Sequence, residues 1–291
     1  MITYTIPLGN FIRQDQSTCE LGDARIIASK NLQKVFLEYI MESFAKRKEL
    51  IDINPPKCYL QMDLADEVLK NDETRRRPLD RTLVIFKLFK DGLVKSNIVF
   101  VQNRGKINSL LWRHYVRWTH PETKVPAYIL KRVEEPFFRK FWREFTSIDV
   151  TNFAVYRFHL ADFRPYLRDR FADYVESLEY LLVPDSGEGE IGYKFRTRGA
   201  LTLSSPKGRG RVYEDLDDAY DLRSAVVHGV SEREAKILRN RGDTEIKGWE
   251  EMIRLTRNYD RRLITLFFRG KCYKNREMRR KYLVERSMCI S

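Results

Sequence analysis

The sequence contains no run of 18 or more apolar residues, so it offers no transmembrane helix. Its first residues, MITYTIPLGNFIRQ, lack a basic segment followed by an apolar core, which predicts no signal peptide. Cysteine is sparse: Cys19, Cys58, Cys272 and Cys289 are scattered and form no CxxC pair. That spacing excludes the usual zinc and disulfide frameworks and predicts four free thiols in a reducing, cytoplasmic setting. The chain has only four histidines, and no Asp/Glu/His cluster shows metal-ligand spacing. Any chemistry is therefore expected to need neither metal nor cofactor.

Acidic residues are outnumbered, 41 against 54 Lys and Arg, leaving a formal charge of +13. The excess is spread through the chain: 26 basic against 18 acidic residues over 1–145, and 28 against 23 over the rest. A diffuse positive charge on a folded chain favours polyanions such as RNA through counterion release, but it does not by itself identify a partner. The apolar fraction of 43% is ample for a core and argues against disorder.

The first half mixes element types. Apolar residues at three-and-four spacing predict a helix over Ser29–Glu49, with Ser29 as its cap. Asn54-Pro55-Pro56 stops the chain before CYLQMDL, which reads as a short strand. DETRRR (Asp72–Arg77) reads as a charged loop before Pro78. LDRTLVIFKLFKDG then fits either a helix ending at Gly92 or a buried strand. NIVFVQ (Asn97–Gln102) has strand composition, and Leu111–Trp118 and Val125–Arg132 flank THPETK as the arms of a possible hairpin. EEPFFRKFWREF (Glu134–Phe145) reads as a helix with Pro136 in its first turn.

From Thr151 onward the spacing is helical almost everywhere. Helices are expected over Pro165–Leu182, Ile191–Leu203, Val212–Val227, Ser231–Arg239 and Trp249–Phe268. A basic glycine loop, SSPKGRGR, precedes the third of these. The expected fold is α+β overall: a mixed α/β domain over 1–148, then an all-α bundle over 149–291.

DLRSAVVHGV (Asp221–Val230) carries the functional signal. Residues five apart on an α-helix differ by about 140° around the axis, so Arg223 and His228 do not stack on one face. Gly229 can act as a left-handed cap, placing His228 at the last helical residue. A histidine can move a proton while an arginine fork holds phosphate oxygens. With 34 arginines in the chain, an Arg five positions before one of four histidines arises by chance about two times in five. The pair alone therefore carries little weight.

Its surroundings carry more. YDLRSAVVHG (Tyr220–Gly229) resembles the signature helix of the HEPN superfamily, in particular its ApeA-like branch, at each fixed position of a Tyr-Asp-x-Arg-Ser-x-x-x-His-Gly pattern. SLEYLL (Ser177–Leu182), GEIGYKFRTRGALTL (Gly189–Leu203) and YRFHLA (Tyr156–Ala161) are similar to further helices of that branch, in the same order. The resemblance spans about residues 150–270 and says little about 1–148. It implies a dimerising helical bundle and, in many members, a metal-independent endoribonuclease built from two facing Arg-x4-His helices. It further implies His228 as general acid or base and Arg223 as the residue that positions phosphate. Many active members carry Asn, Asp or His after the arginine, whereas this chain has Ser224.

Other candidates have plainer readings beside the functional one. Asp221 can simply pair with a basic neighbour, and Ser224 can be a small residue that permits close packing. Glu179 can pair with Arg223 or orient it. Lys207, Arg209 and Arg211 can cradle an RNA backbone or be a solvated charge run. The same choice holds for Arg75–Arg77 and for the C-terminal KNREMRRK. His114, His120 and His159 read as structural. The leading expectation is an RNA-cleaving toxin or defence effector, working as a homodimer in the cytoplasm, with RNA and an antitoxin or trigger protein as partners. The alternative is a non-catalytic module that dimerises and binds RNA, nucleotide or a protein. Residues 1–148 show no nucleotide-binding loop, metal cluster or nucleophile arrangement, and their role is left open.

Overall fold

The structure, a computed structural model, describes residues 2–9, 11–14, 17–45, 57–65, 72–92, 94, 96, 98–103, 106–111, 127–185 and 190–288. The chain is mixed α+β, and the described residues fall into two compact units that divide between Ile148 and Asp149.

The first unit is built on an antiparallel sheet. Strands β1 (Ile2–Pro7), β3 (Cys19–Glu20), β4 (Ala24–Ala28), β5 (Cys58–Leu64), β6 (Ile98–Asn103) and β7 (Lys106–Leu111) are ordered β3-β4-β5-β1-β6-β7. A second, two-stranded sheet pairs β2 (Phe11–Arg13) with β8 (Tyr128–Leu130) in parallel. The expected hairpin of Leu111–Trp118 with Val125–Arg132 lies mostly outside the described residues: of its first arm only Leu111 is described, at the end of β7, and of its second only residues 127–132. Strands β6 and β7 pair as antiparallel neighbours, with Asn103 opposite Lys106.

Helix α1 (Lys30–Ala45) begins where expected, Ser29 Oγ accepting from the Leu32 N–H at 3.2 Å; residues 46–49 lie outside the described residues. Helix α2 (Asp72–Phe89) corrects one expectation, since DETRRR is helical and Pro78 sits inside the helix. A proline there removes one backbone bond and costs about 3 kcal/mol. Offsetting interactions surround it: Arg76 pairs with Asp80 at 3.2 Å, and Thr82 Oγ1 donates to the Pro78 carbonyl at 2.8 Å. Burial contributes more. Leu83, Val84, Ile85, Phe86 and Leu88 are all buried, which is why this run read equally well as strand or helix. Phe86 meets Phe11, Tyr128, Phe138 and Trp142, with ring centroids 5.1–6.2 Å apart. A 3-10 turn (Arg132–Glu134) leads into α3 (Glu135–Phe145), with Pro136 in the first turn. The bidentate pair of Arg13 with Glu135, at 2.7 and 3.0 Å, fastens β2 to α3.

The second unit consists of α4 (Phe153–Ala161), α5 (Leu167–Leu182), α6 (Ile191–Leu203), α7 (Arg209–His228), α8 (Ser231–Arg241), α9 (Glu245–Arg269) and α10 (Arg276–Met288). Asn152 caps α4 and Thr244 caps α9 through side-chain oxygens. Helix α9 presents Trp249, Met252, Tyr259, Leu263 and Phe267 to the core, and Trp249 meets Phe171 of α5 at 5.5 Å. The buried Ser177 hydroxyl lies 2.9 Å from the Ala154 carbonyl and 2.7 Å from Asp260 Oδ1, tying α5 to α4 and α9. Two expectations are corrected. The described residues of this unit contain seven α-helices, of which α10 was not among those expected. The basic glycine loop is a 3-10 turn (Pro206–Gly208) followed directly by α7.

Candidate functional site

Helix α7 closes as its sequence requires. Gly229 takes φ 69°, a conformation that glycine adopts without a Cβ penalty. Val230 N–H donates to the Ala225 carbonyl at 2.9 Å and Gly229 N–H to Val226 at 3.4 Å, the Schellman pair. His228 is therefore the last helical residue, and it is exposed. Val227 and Val230 beside it are also exposed, at 58% and 46%, so the histidine sits on an apolar helix end.

Arg223 lies elsewhere on the same helix. It is half-buried and lines a cleft of about 430 Å³ with Phe153, Glu176, Glu179, Tyr180, Val183, Pro184, Arg276 and Arg279. His228 is not among these residues, as the 140° separation leads one to expect within a single chain. Glu179 and Arg223 share the cleft without a hydrogen bond or ion pair between them, and Glu179 Oε2 is buried without a hydrogen-bond partner among the described residues.

The cleft wall is a ladder of rings and guanidinium groups. Arg157 lies 5.2 Å from the Phe153 ring, Phe153 lies 5.1 Å from Tyr180, and Arg279 lies 4.2 Å from the Tyr180 ring. Arg157 also bridges Asp173 at 2.7 Å and Glu176 at 2.9 Å, so the second carboxylate is held before any ligand arrives. At the edge of the cleft, Arg198 grips Asp185 through both nitrogens at 2.5 and 3.0 Å and donates to the Leu182 carbonyl at 3.1 Å. That grip holds the Asp185 carboxyl well below the usual carboxylate range.

The other sequence candidates are distributed around this site. Asp221 pairs with Arg233 of α8 and so ties two helices together. Ser224 is half-buried. Tyr220, which opens the motif, packs on α6: its ring lies 5.7 Å from Phe195, and a side chain at Gly192 would collide with it. Lys207 and Arg211 are exposed and Arg209 is half-buried at the opposite end of α7. Arg211 and Arg209 stand about 18–21 Å along the axis from Arg223 at 1.5 Å per residue, Lys207 lies in the turn before them, and none of the three lines the cleft. His159 is buried, edge-on to Phe163 at 4.8 Å, while His114 and His120 lie outside the described residues. Cys19, Cys58 and Cys272 are free and buried; Cys289 lies outside the described residues. Arg75–Arg77 are part of α2.

Sequence reading missed Phe153, Glu176, Tyr180, Arg276 and Arg279 as lining residues. KNREMRRK read as either an RNA-backbone cradle or a solvated charge run, and one of its arginines, Arg279, is only 3% exposed. The i, i+3 spacing of Arg276 and Arg279 was a signal that both share one helix face. Among the described residues, no group of three or more His, Cys, Asp or Glu side chains is placed to hold a metal ion. No described helix is long and apolar enough to cross a membrane. The chain matches no protein-family model, no curated protein and no solved structure.

Proposed function

We propose that residues 149–291 form a HEPN-type bundle that cleaves RNA without a metal ion, as a cytoplasmic toxin or defence effector. In this reading two copies pair through the ends of α7, so that Arg223 of one copy and His228 of the other share a phosphate. The observation that supports it most is the layout of α7: Arg223 is set in a charged cleft, while the exposed His228 sits between exposed valines. Such an apolar end suits self-association, and a symmetric pairing supplies each cleft with the histidine its own chain cannot place there.

The chemistry is an internal transfer. The RNA 2′-oxygen attacks the adjacent phosphorus, the P–O5′ bond breaks, and a 2′,3′-cyclic phosphate and a 5′-hydroxyl remain. His228 takes the 2′ proton or delivers one to the leaving 5′-oxygen, and Arg223 holds the non-bridging oxygens as charge builds on them. The first unit is assigned recognition of a trigger protein, an antitoxin or the substrate.

The test is to incubate the full chain with total RNA in EDTA beside His228→Ala. Cleavage by the first and not the second is expected; RNA left intact by both overturns the reading. A second reading draws on the cleft itself. Glu176 and Glu179 stand in it with Arg223, and His228 does not. Acidic side chains lining the pocket, with the histidine elsewhere, suit a module that dimerises and binds RNA, nucleotide or a protein without cutting.

A further inference from the structure

Helix α10 brings an arginine pair to the cleft that neither the α7 motif nor the ring ladder requires. Arg279 is 3% exposed, yet among the described residues the only hydrogen bond of its side chain is from Nη1 to the Tyr273 carbonyl at 2.7 Å. Its Nε is buried without a partner, and among the described residues no carboxylate pairs with it. Burying a guanidinium is costly unless an anion or a full set of acceptors compensates it, and the Tyr180 face supplies only part of that compensation. Arg276, one turn earlier on the same cleft wall, is exposed and has no ion pair or hydrogen bond within the described residues. It is also the first residue of α10, whose cap Asn275 accepts from the Met278 N–H at 3.0 Å, so the positive end of a 13-residue helix dipole opens here. Arg223 completes a set of three guanidinium groups around the cleft, against two carboxylates, one of which is already paired with Arg157.

We propose that Arg276 and Arg279 form a phosphate subsite at the start of α10 that holds a backbone phosphate next to the one undergoing attack. The ligand identity rests on the RNA reading above; the anion site itself does not. Arg279 forms its floor, a buried charge held 4.2 Å from the centre of the Tyr180 ring. Arg276 is the mobile arm that closes over a bound phosphate. Both are positioning residues: they set the register of the RNA while Arg223 and His228 meet the reacting atoms.

The test is binding of a short 2′-O-methyl RNA, which no attack by a 2′-hydroxyl can cleave, to the full chain over a range of salt concentrations. Arg276→Gln should weaken binding and make the slope of log K against log salt shallower by about 0.7, the value of one lost contact to single-stranded RNA. Arg280→Gln removes the same charge from the same helix at an exposed position outside the cleft, and should leave that slope unchanged. Equal slopes for wild type and Arg276→Gln, or equal losses in the two variants, overturn the subsite. A free 5′-mononucleotide that binds in an Arg276-dependent way, without competition from the 2′-O-methyl RNA, overturns RNA as its occupant. The slope change appearing in a chain that never cuts unmodified RNA leaves the subsite standing and rejects the nuclease instead.

Discussion

In the proposed nuclease His228 and Arg223 do different work, and substitution should separate them. The His228 imidazole is exposed at the last residue of α7, where it is open to a second copy of the chain or to a ligand. His228→Ala should lower cleavage by about 100-fold or more, the usual scale of general acid–base help, with the circular dichroism spectrum unchanged. Arg223→Lys keeps the charge but loses the planar fork, so it should lower turnover more than it lowers RNA affinity. Equal kinetics for Arg223→Lys and wild type would remove the phosphate-holding role. A third residue, Asp185, offers a pH test of stability rather than activity. Arg198 keeps its carboxyl below the usual range, so its folded value lies under its unfolded one. The pair therefore stabilises the protein fully above the unfolded value of about 4, and that contribution fades as pH falls through it toward the folded value. Urea unfolding should show Asp185→Asn less stable than wild type at pH 6, with the gap narrowing by pH 3. A gap that stays constant would contradict this assignment.

Elements meet at places where one atom decides the fit. A methyl group at Gly199 of α6 would overlap Leu216 Cδ1 of α7 and stand 3.2 Å from Leu182 Cδ1 of α5. Gly199→Ala should therefore destabilise the bundle by about 1–3 kcal/mol in chemical denaturation, through overpacking. Gly229→Ala has open space around it but the wrong backbone, φ 69°, and should cost about 1 kcal/mol, with Gly229→Asn cheaper. Periodicity made most of these helices legible: the limits of α6 follow directly from GEIGYKFRTRGALTL, and the end of α7 from His228-Gly229. Where several signals compete, the sequence was harder to read. Asp72–Arg77 looked like a loop because Pro78 follows, yet the deeply buried run beyond it carries the helix through. Strand composition marked Tyr128–Leu130 as a strand but does not say which strand will pair, and its parallel neighbour Phe11–Arg13 lies far away in the sequence. Helix α10 was hidden by its own polarity, since nothing local marks Arg279 as buried over Tyr180.

At the scale of the whole molecule, the motif on α7 was legible and the cleft around it was not. Arg223 and His228 stand in one short segment, whereas Phe153, Tyr180 and Arg279 come from three other helices that only tertiary packing brings together. The separation of arginine from histidine within one chain makes self-association the centre of the account. Sedimentation of the full chain should show a dimer at micromolar concentration, and Val227→Lys with Val230→Lys should shift it toward monomer by adding like charges to the paired ends. The most direct measurement uses a purified heterodimer in which one copy carries Arg223→Ala and the other His228→Ala. One of its two sites then retains an intact arginine and an intact histidine from opposite chains. Cleavage of RNA in EDTA by this heterodimer, leaving 2′,3′-cyclic phosphate ends that neither mutant homodimer produces, is the predicted result. A heterodimer as inactive as its parents, beside a wild type that cleaves, would contradict a site shared between two copies.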